Sequence, residues 1–244
     1  MPELPQPNPP DQPEQTFSGL GATRSRTPLA DLAVPRIRES VHRASYPVAF
    51  HSQEDCLLNL SGDYSYLGTG YYVSQDLESG RGLVHPTCAE VMDAYVIPLF
   101  LEKAKRAGIP IPDYYISNGY FEPPVVVDTI NPFMSRHSVV LKAAAQERIA
   151  KSLTRNFTYA ISCQELPHHA RVSHFHAVLG WCTTPKFREL AQSVWRVYGL
   201  PLAKVRVITC SDGNILLSGL QPLPLARLTE REQIFLNKMV TWRT

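Results

Sequence analysis

Three groups of residues in this chain carry types that can do chemistry. The first is the glycine-rich passage from Gly62 to Gly70, whose backbone N–H groups could face an anion. It lacks the Lys-Ser/Thr ending of a phosphate-binding loop, and only Gly68-Thr69-Gly70 of a GxGxxG pattern is present. A tight strand-to-helix turn with packed tyrosines is the default reading. The second group is histidine: His174 and His176 lie two apart in a strand and so share a face. With His168 or His169, and Cys163 or Cys182, they could surround a metal, although none of the recurring ligand spacings is met. Histidines on a partly exposed sheet face are the plainer reading. The third group is Cys163 and Cys182, each a nucleophile only if a neighbour lowers its pKa. Both lie in or beside apolar strand patterns, where an inert thiol is usual. Arg136 and His137 could contact an anion, or simply mark a helix start. Asp63, Asp76, Glu78, Asp93 and Glu102 form no paired-carboxylate signature.

The elements that must position these groups follow from pattern. Cys56 to Leu60 reads as a buried strand, broken by Ser61-Gly62-Asp63, with a helix expected after the tyrosines: the opening of a βαβ unit. Pro47 to Phe50 precedes it as a short strand. Thr87 with Glu90 forms a capping box, Pro98 should kink or split the helix that follows, and Gly108 ends it. Tyr114 to Phe121 is β-prone around an Asn118-Gly119 turn, and Val125 to Val127 is a second buried strand. Ser138 to Leu153, rich in good helix formers, is expected to be helical. Phe157 to Cys163 and Val172 to Leu179 read as strands. A helix opened by Thr184-Pro185 ends at Gly199, Leu202 to Thr209 is a strand, and Asp212-Gly213-Asn214 turns it back through Ile215 to Ser218. Thr229 with Glu232 caps a last helix expected to run almost to Thr244. The fold class expected is α/β, with a single mixed, mostly parallel sheet flanked by helices.

Composition bounds the rest. Residues 1–45 are expected to be a disordered, Pro-rich tail and linker, followed by one α/β domain over 46–244. With 24 basic and 22 acidic side chains the net charge is +2, which argues against a nucleic-acid binder. No apolar run reaches membrane-spanning length, and the N-terminus has no signal pattern. The five cysteines are scattered and odd in number, as expected of reduced thiols in a cytoplasmic protein.

The run Asn59-Leu60, Tyr64-Ser65-Tyr66 and Gly70-Tyr71-Tyr72-Val73-Ser74 resembles the N-terminal domain of RimK-like ATP-grasp ligases. The resemblance resumes from about Pro124 and Asp128 and continues to Trp242, in the order strand, strand, helix, strand, DG hairpin and final helix. Gln75-Asp76-Leu77-Glu78 departs from the family's Leu-Leu-Ala-Glu, and 81–122 looks like extra material. What the resemblance implies is a free-standing relative of that domain. The catalytic portion, which in such ligases carries ATP, metal and acyl-phosphate chemistry, would begin where this chain ends.

Three functional readings follow. In the first, the protein is a non-catalytic accessory or substrate-presenting partner, acting in trans with an ATP-grasp amino-acid or peptide ligase. Tyr64, Tyr66, Gly68, Gly70, Tyr71, Tyr72 and Ser74 would then supply ligand or partner contact, and ATP and magnesium would sit on the partner ligase. In the second it is an independent enzyme using the histidine and cysteine groups, with His174 and His176 as metal ligands. In the third it is a small-molecule or nucleotide sensor using Gly62 to Gly70. A homo-oligomer is compatible with all three.

Overall fold

The computed structural model describes residues 47–80, 82–133 and 136–243. The expected tail and linker over residues 1–45 lie outside the described residues. Two short strands, β1 (Val48–His51) and β2 (Leu57–Asn59), are followed by α1 (Thr69–Ser79) and β3 (Val84–His85). Next come α2 (Cys88–Tyr95) and α3 (Ile97–Arg106), then β4 (Tyr114–Ser117), β5 (Val125–Thr129) and β6 (His137–Val140). The chain continues through α4 (Gln146–Leu153), β7 (Ile161–Glu165), β8 (Arg171–Val178) and α5 (Arg188–Tyr198). It closes with β9 (Leu202–Thr209), β10 (Ile215–Gln221), α6 (Glu230–Met239) and β11 (Val240–Trp242).

Local chemistry sets several of these boundaries. Both capping boxes form, Thr87 with Glu90 at α2 and Thr229 with Glu232 at α6. The helix containing Pro98 splits at Val96, leaving the proline in the first turn of α3, where its missing N–H sacrifices no intrahelical bond. Gly199 ends α5 in the left-handed region at φ 60.

The expected single, mostly parallel sheet is not what forms. Among the described residues there are three sheets, ordered β11-β1-β2-β3, β10-β9-β8 and β4-β7-β5-β6. Only β2 and β3 pair in parallel, and α1 is the crossover between them, so the βαβ opening is present. Elsewhere neighbouring strands pair antiparallel, across the short links at 130–136 and 210–214 and also across the longer one that carries α5 between β8 and β9.

Three expected elements change type or length. Ser138 to Leu153 is not one helix, because Val139 and Val140 pair with Val126 and Val125, and helix begins only at Gln146 after a 3-10 turn at Ala143–Ala145. A β-branched run beside an open strand edge outweighs helix propensity there. The strand expected from Phe157 starts at Ile161, since residues 155–157 take positive φ. The last helix stops at Met239, and Val240 to Trp242 instead completes the first sheet against β1.

The second sheet, β8–β10, is covered on one face by α2, α3 and α5. Val205, Val207, Phe100, Val194 and Tyr198 are buried there, and the Tyr198 hydroxyl donates to the Phe100 carbonyl. Each such aliphatic side chain contributes about 1.5–3 kcal/mol by leaving water. Strand alternation sends Lys204, Arg206 and Ile208 to the opposite face. That face meets the third sheet, where Val126 and Leu166 pack on Ile208. The layer between these two sheets holds the polar groups of interest.

Candidate functional site

The glycine–tyrosine loop is built from the inside by Asn59. Its buried amide donates to the Gly70 carbonyl (2.7 Å) and to Ser74 Oγ (3.0 Å), while its Oδ1 accepts from the N–H and hydroxyl of Ser61. The Tyr64 hydroxyl donates to the Asn59 carbonyl at 2.7 Å. Tyr64, Gly70 and Ser74 are thus enclosed and engaged within the fold. Close approach explains two glycines. A Cβ on Gly62, at φ 70, would lie 2.0 Å from the Leu223 carbonyl oxygen, and one on Gly70 would lie 2.0 Å from that of Asp63.

The other tyrosines make an edge-to-face ladder. Ring centroids are 6.1 Å apart for Tyr72 and Tyr71, 5.2 Å for Tyr71 and Tyr66, and 5.1 Å for Tyr66 and Phe133. Tyr72 and Phe133 are exposed at its two ends. Gly68 is the residue before the first turn of α1. The groove there, about 300 Å³, is lined by Pro47, Ser61, Asp63, Gly68, Thr69 and Gly70, with a carboxylate and no cation. That lining does not suit a phosphate.

A closed polar network fills the middle of the layer between the second and third sheets. Arg206 forks onto Asp128, with Nη1 to Oδ1 at 2.8 Å and Nη2 to Oδ2 at 2.7 Å. Its Nε donates to Ser218 Oγ, and Gln164 Nε2 bonds both Asp128 and the Ser218 carbonyl. A bulge in β10 between Leu217 and Gly219 turns Ser218 toward the arginine. Gly219 leaves room for it, since a Cβ there would lie 2.9 Å from Nη2. All four side chains are buried.

One step along β9, the layer opens. Lys204, His137, Gln221, Arg227, Asp63 and Ser65 border a cleft of about 430 Å³. β6, β9 and β10 supply the first three, the 3-10 turn at Leu225–Arg227 supplies Arg227, and the tight Gly62 contact with Leu223 holds the loop carrying Asp63. His174 stands beside His137 with ring centroids 6.2 Å apart, and Gln221 Nε2 lies 3.3 Å from His137 Nδ1. Asp63 Oδ1 accepts from the Ser65 N–H and hydroxyl. Neither Lys204 nor Arg227 has a carboxylate within ion-pair distance among the described residues. Both imidazoles feel this positive surplus. Partial burial, then Arg206, lowers the His137 pKa. Partial burial, then Lys204 and Arg206, pushes His174 down to about 4.

The remaining groups singled out in the sequence scatter. His176 shares the face of His174 but meets Glu232 at 3.2 Å. His168 and His169 stack on each other at an exposed turn. Among the described residues, no group of three His, Cys, Asp or Glu could hold a metal ion. Burial raises all five thiols, Cys163 to about 12, so none is poised as a thiolate. Arg136 is exposed, its backbone bonded to Thr129, whereas His137 reaches the cleft from a strand and not from a helix start. Lys204, Gln221 and Arg227 escaped the sequence reading. The available signal was Leu202-Ala203-Lys204-Val205-Arg206-Val207, two cations at period two inside an otherwise apolar strand.

Comparison with known proteins bears on these residues. The family model described as RimK-like ATPgrasp N-terminal domain matches residues 124–239. The match includes every cleft and network residue except Asp63 and Ser65, and leaves the Asn59–Ser74 motif outside. No curated protein matches the sequence. Among solved structures, the chain resembles D-alanine-D-alanine ligase from Helicobacter pylori at 12% identity and TM-score 0.50, covering 68% of this chain and 66% of that one. It also resembles a RimK domain ATP-grasp protein from Sphaerobacter thermophilus at 16% identity and TM-score 0.49, covering 67% and 70%. The ATP-grasp ligase PsnB matches at 14% identity and TM-score 0.44, covering 66% of this chain and 60% of that one. This chain therefore spans only part of these proteins, and the first likeness concerns fold alone. Residues 124–239, just under half of this chain, are thus similar to the N-terminal domain of RimK-like ATP-grasp ligases.

Proposed function

We propose that this protein presents substrate to an ATP-grasp amino-acid or peptide ligase, acting in trans in the cytoplasm, and does not itself make the new bond. The observation that carries this reading is the relation of residues 124–239 to the RimK-like ATPgrasp N-terminal domain. Two features support it. The open cleft offers charged and hydrogen-bonding groups to a ligand, while burial raises the pKa of all five thiols. ATP and magnesium would belong to the ligase. The exposed ends of the aromatic ladder, Tyr72 and Phe133, supply the partner contact; Tyr71 packs against the core and is less suited to it.

The test is co-purification of the tagged chain from its native cells, followed by a ligation assay with whatever ATP-grasp ligase accompanies it. Near-equal recovery, lost in Tyr72→Ala/Phe133→Ala, and product formation that falls about tenfold without this chain are the expected results. A ligase that works equally well alone, or no ligase recovered, overturns the reading.

A further inference from the structure

We propose that the cleft between the second and third sheets binds an oxyanion, a carboxylate or a phosphate group, whose charge is met by Lys204 and Arg227 and whose arrival protonates the His137–His174 pair. The inference deepens the reading of this cleft as a ligand site but does not depend on the ligase partnership.

The first argument is charge. Arg206 contributes no free charge to a ligand because Asp128 holds both its terminal nitrogens. Lys204 and Arg227 have no such partner among the described residues, and both line a concave space large enough for a small organic acid. Among the described residues Asp63 is the only carboxylate lining the cleft, and it already accepts two hydrogen bonds from Ser65. Two cations against one engaged carboxylate leave a positive excess. A cation would be repelled there, whereas an oxyanion completes the balance with charge-assisted hydrogen bonds.

The second argument concerns the histidines. The charged and titratable groups that face them come from every surrounding element: Asp128 from β5, Lys204 and Arg206 from β9, His176 with Glu232 from β8 and α6, Asp63 from the loop and Arg227 from the 3-10 turn. Without ligand, partial burial and then these cations lower the pKa of both imidazoles. An anion seated against Lys204 reverses the sign of the nearest charge and favours imidazolium. Gln221 accommodates either state. Its amide nitrogen can donate to a neutral Nδ1 on His137, and its oxygen can accept from a protonated one after the amide turns over. Binding and proton uptake are thereby coupled, and affinity rises as pH falls.

NMR titration of the imidazole resonances in the full chain tests this. Acetate serves as the carboxylate probe and sulfate as the phosphate-like probe, both at constant ionic strength and near pH 6 and pH 8. Expected are saturable shifts of His137 and His174 with one probe, an upward move of the His174 pKa from about 4, and several-fold tighter binding at the lower pH. Lys204→Ala and Arg227→Ala, whose folding is verified by unchanged thermal melting, should each weaken binding about tenfold. Tighter binding of acetate than of sulfate assigns a carboxylate, and the reverse assigns a phosphate. No saturable shift with either probe, shifts insensitive to both substitutions, or binding without movement of the His174 pKa would overturn the proposal. The ligase reading is judged separately by co-purification, so either can fail alone.

Discussion

Arg206 and Lys204 lie two residues apart on one strand and on one face of the same sheet, yet they live in opposite circumstances. Arg206 is almost fully buried and every donor it directs into the layer is met by Asp128 or Ser218. Lys204, half-exposed at the mouth of the same layer, has no carboxylate partner among the described residues. The difference teaches where a fold can leave charge unanswered. A buried charge without a partner costs several kcal/mol, so the middle of the layer had to be closed. At the rim water screens the charge, and an unpaired cation is tolerable and free for a ligand.

The largest test breaks the closed half. Arg206→Met leaves Asp128 buried without its cation and should cost about 3–5 kcal/mol in urea unfolding. Adding Asp128→Asn should return part of that loss, with a coupling of about 0.5–3 kcal/mol. Strict additivity would mean that the pair is not a unit. A smaller effect is expected where a histidine on the same face does have a carboxylate. Glu232 receives the Thr229 N–H of the α6 capping box and contacts His176, so Glu232→Ala should lose about 1 kcal/mol and fray α6 in hydrogen exchange. If α6 protection is untouched, the box contributes nothing.

The mildest test reads the open half through pH. His137 and His174 titrate lower folded than unfolded. The unfolded chain therefore takes up protons first as pH falls, and this contribution to stability is complete above the unfolded pKa near 6.5 and is lost on the way down to about 4. His174 is exposed enough that solvent softens the effect. The slope of stability against pH in that window should be shallower in His174→Gln, and shallower in the wild type with a bound anion. An identical slope in the variant would remove His174 from the account.

Much of the local structure was legible. Both capping boxes, the split at Pro98, the helix stop at Gly199 and the strands at 171–178 and 202–209 follow from side chains acting on their own backbone. Two of the misreadings share one cause. Val139 and Val140 became a strand because Val125 and Val126 offered an edge, and Val240 to Trp242 did so because β1 offered one. No property of either segment reveals that its partner is a hundred or more residues away or across a short link. The cleft was illegible for the same reason: Asp63, His137, Lys204, Gln221 and Arg227 come from five separate stretches.

The sequence by itself determined the turns, the caps, the apolar faces and the family likeness of residues 124–239, because these depend on neighbours within a few positions or on pattern along the chain. Only the tertiary structure decided that the glycine–tyrosine loop closes on Asn59, and that two sheets meet face to face. It also decided which cations were spent inside. Charge compensation is a property of distance in space, and the folded chain sets Arg206 against Asp128 while leaving Lys204 facing the opening.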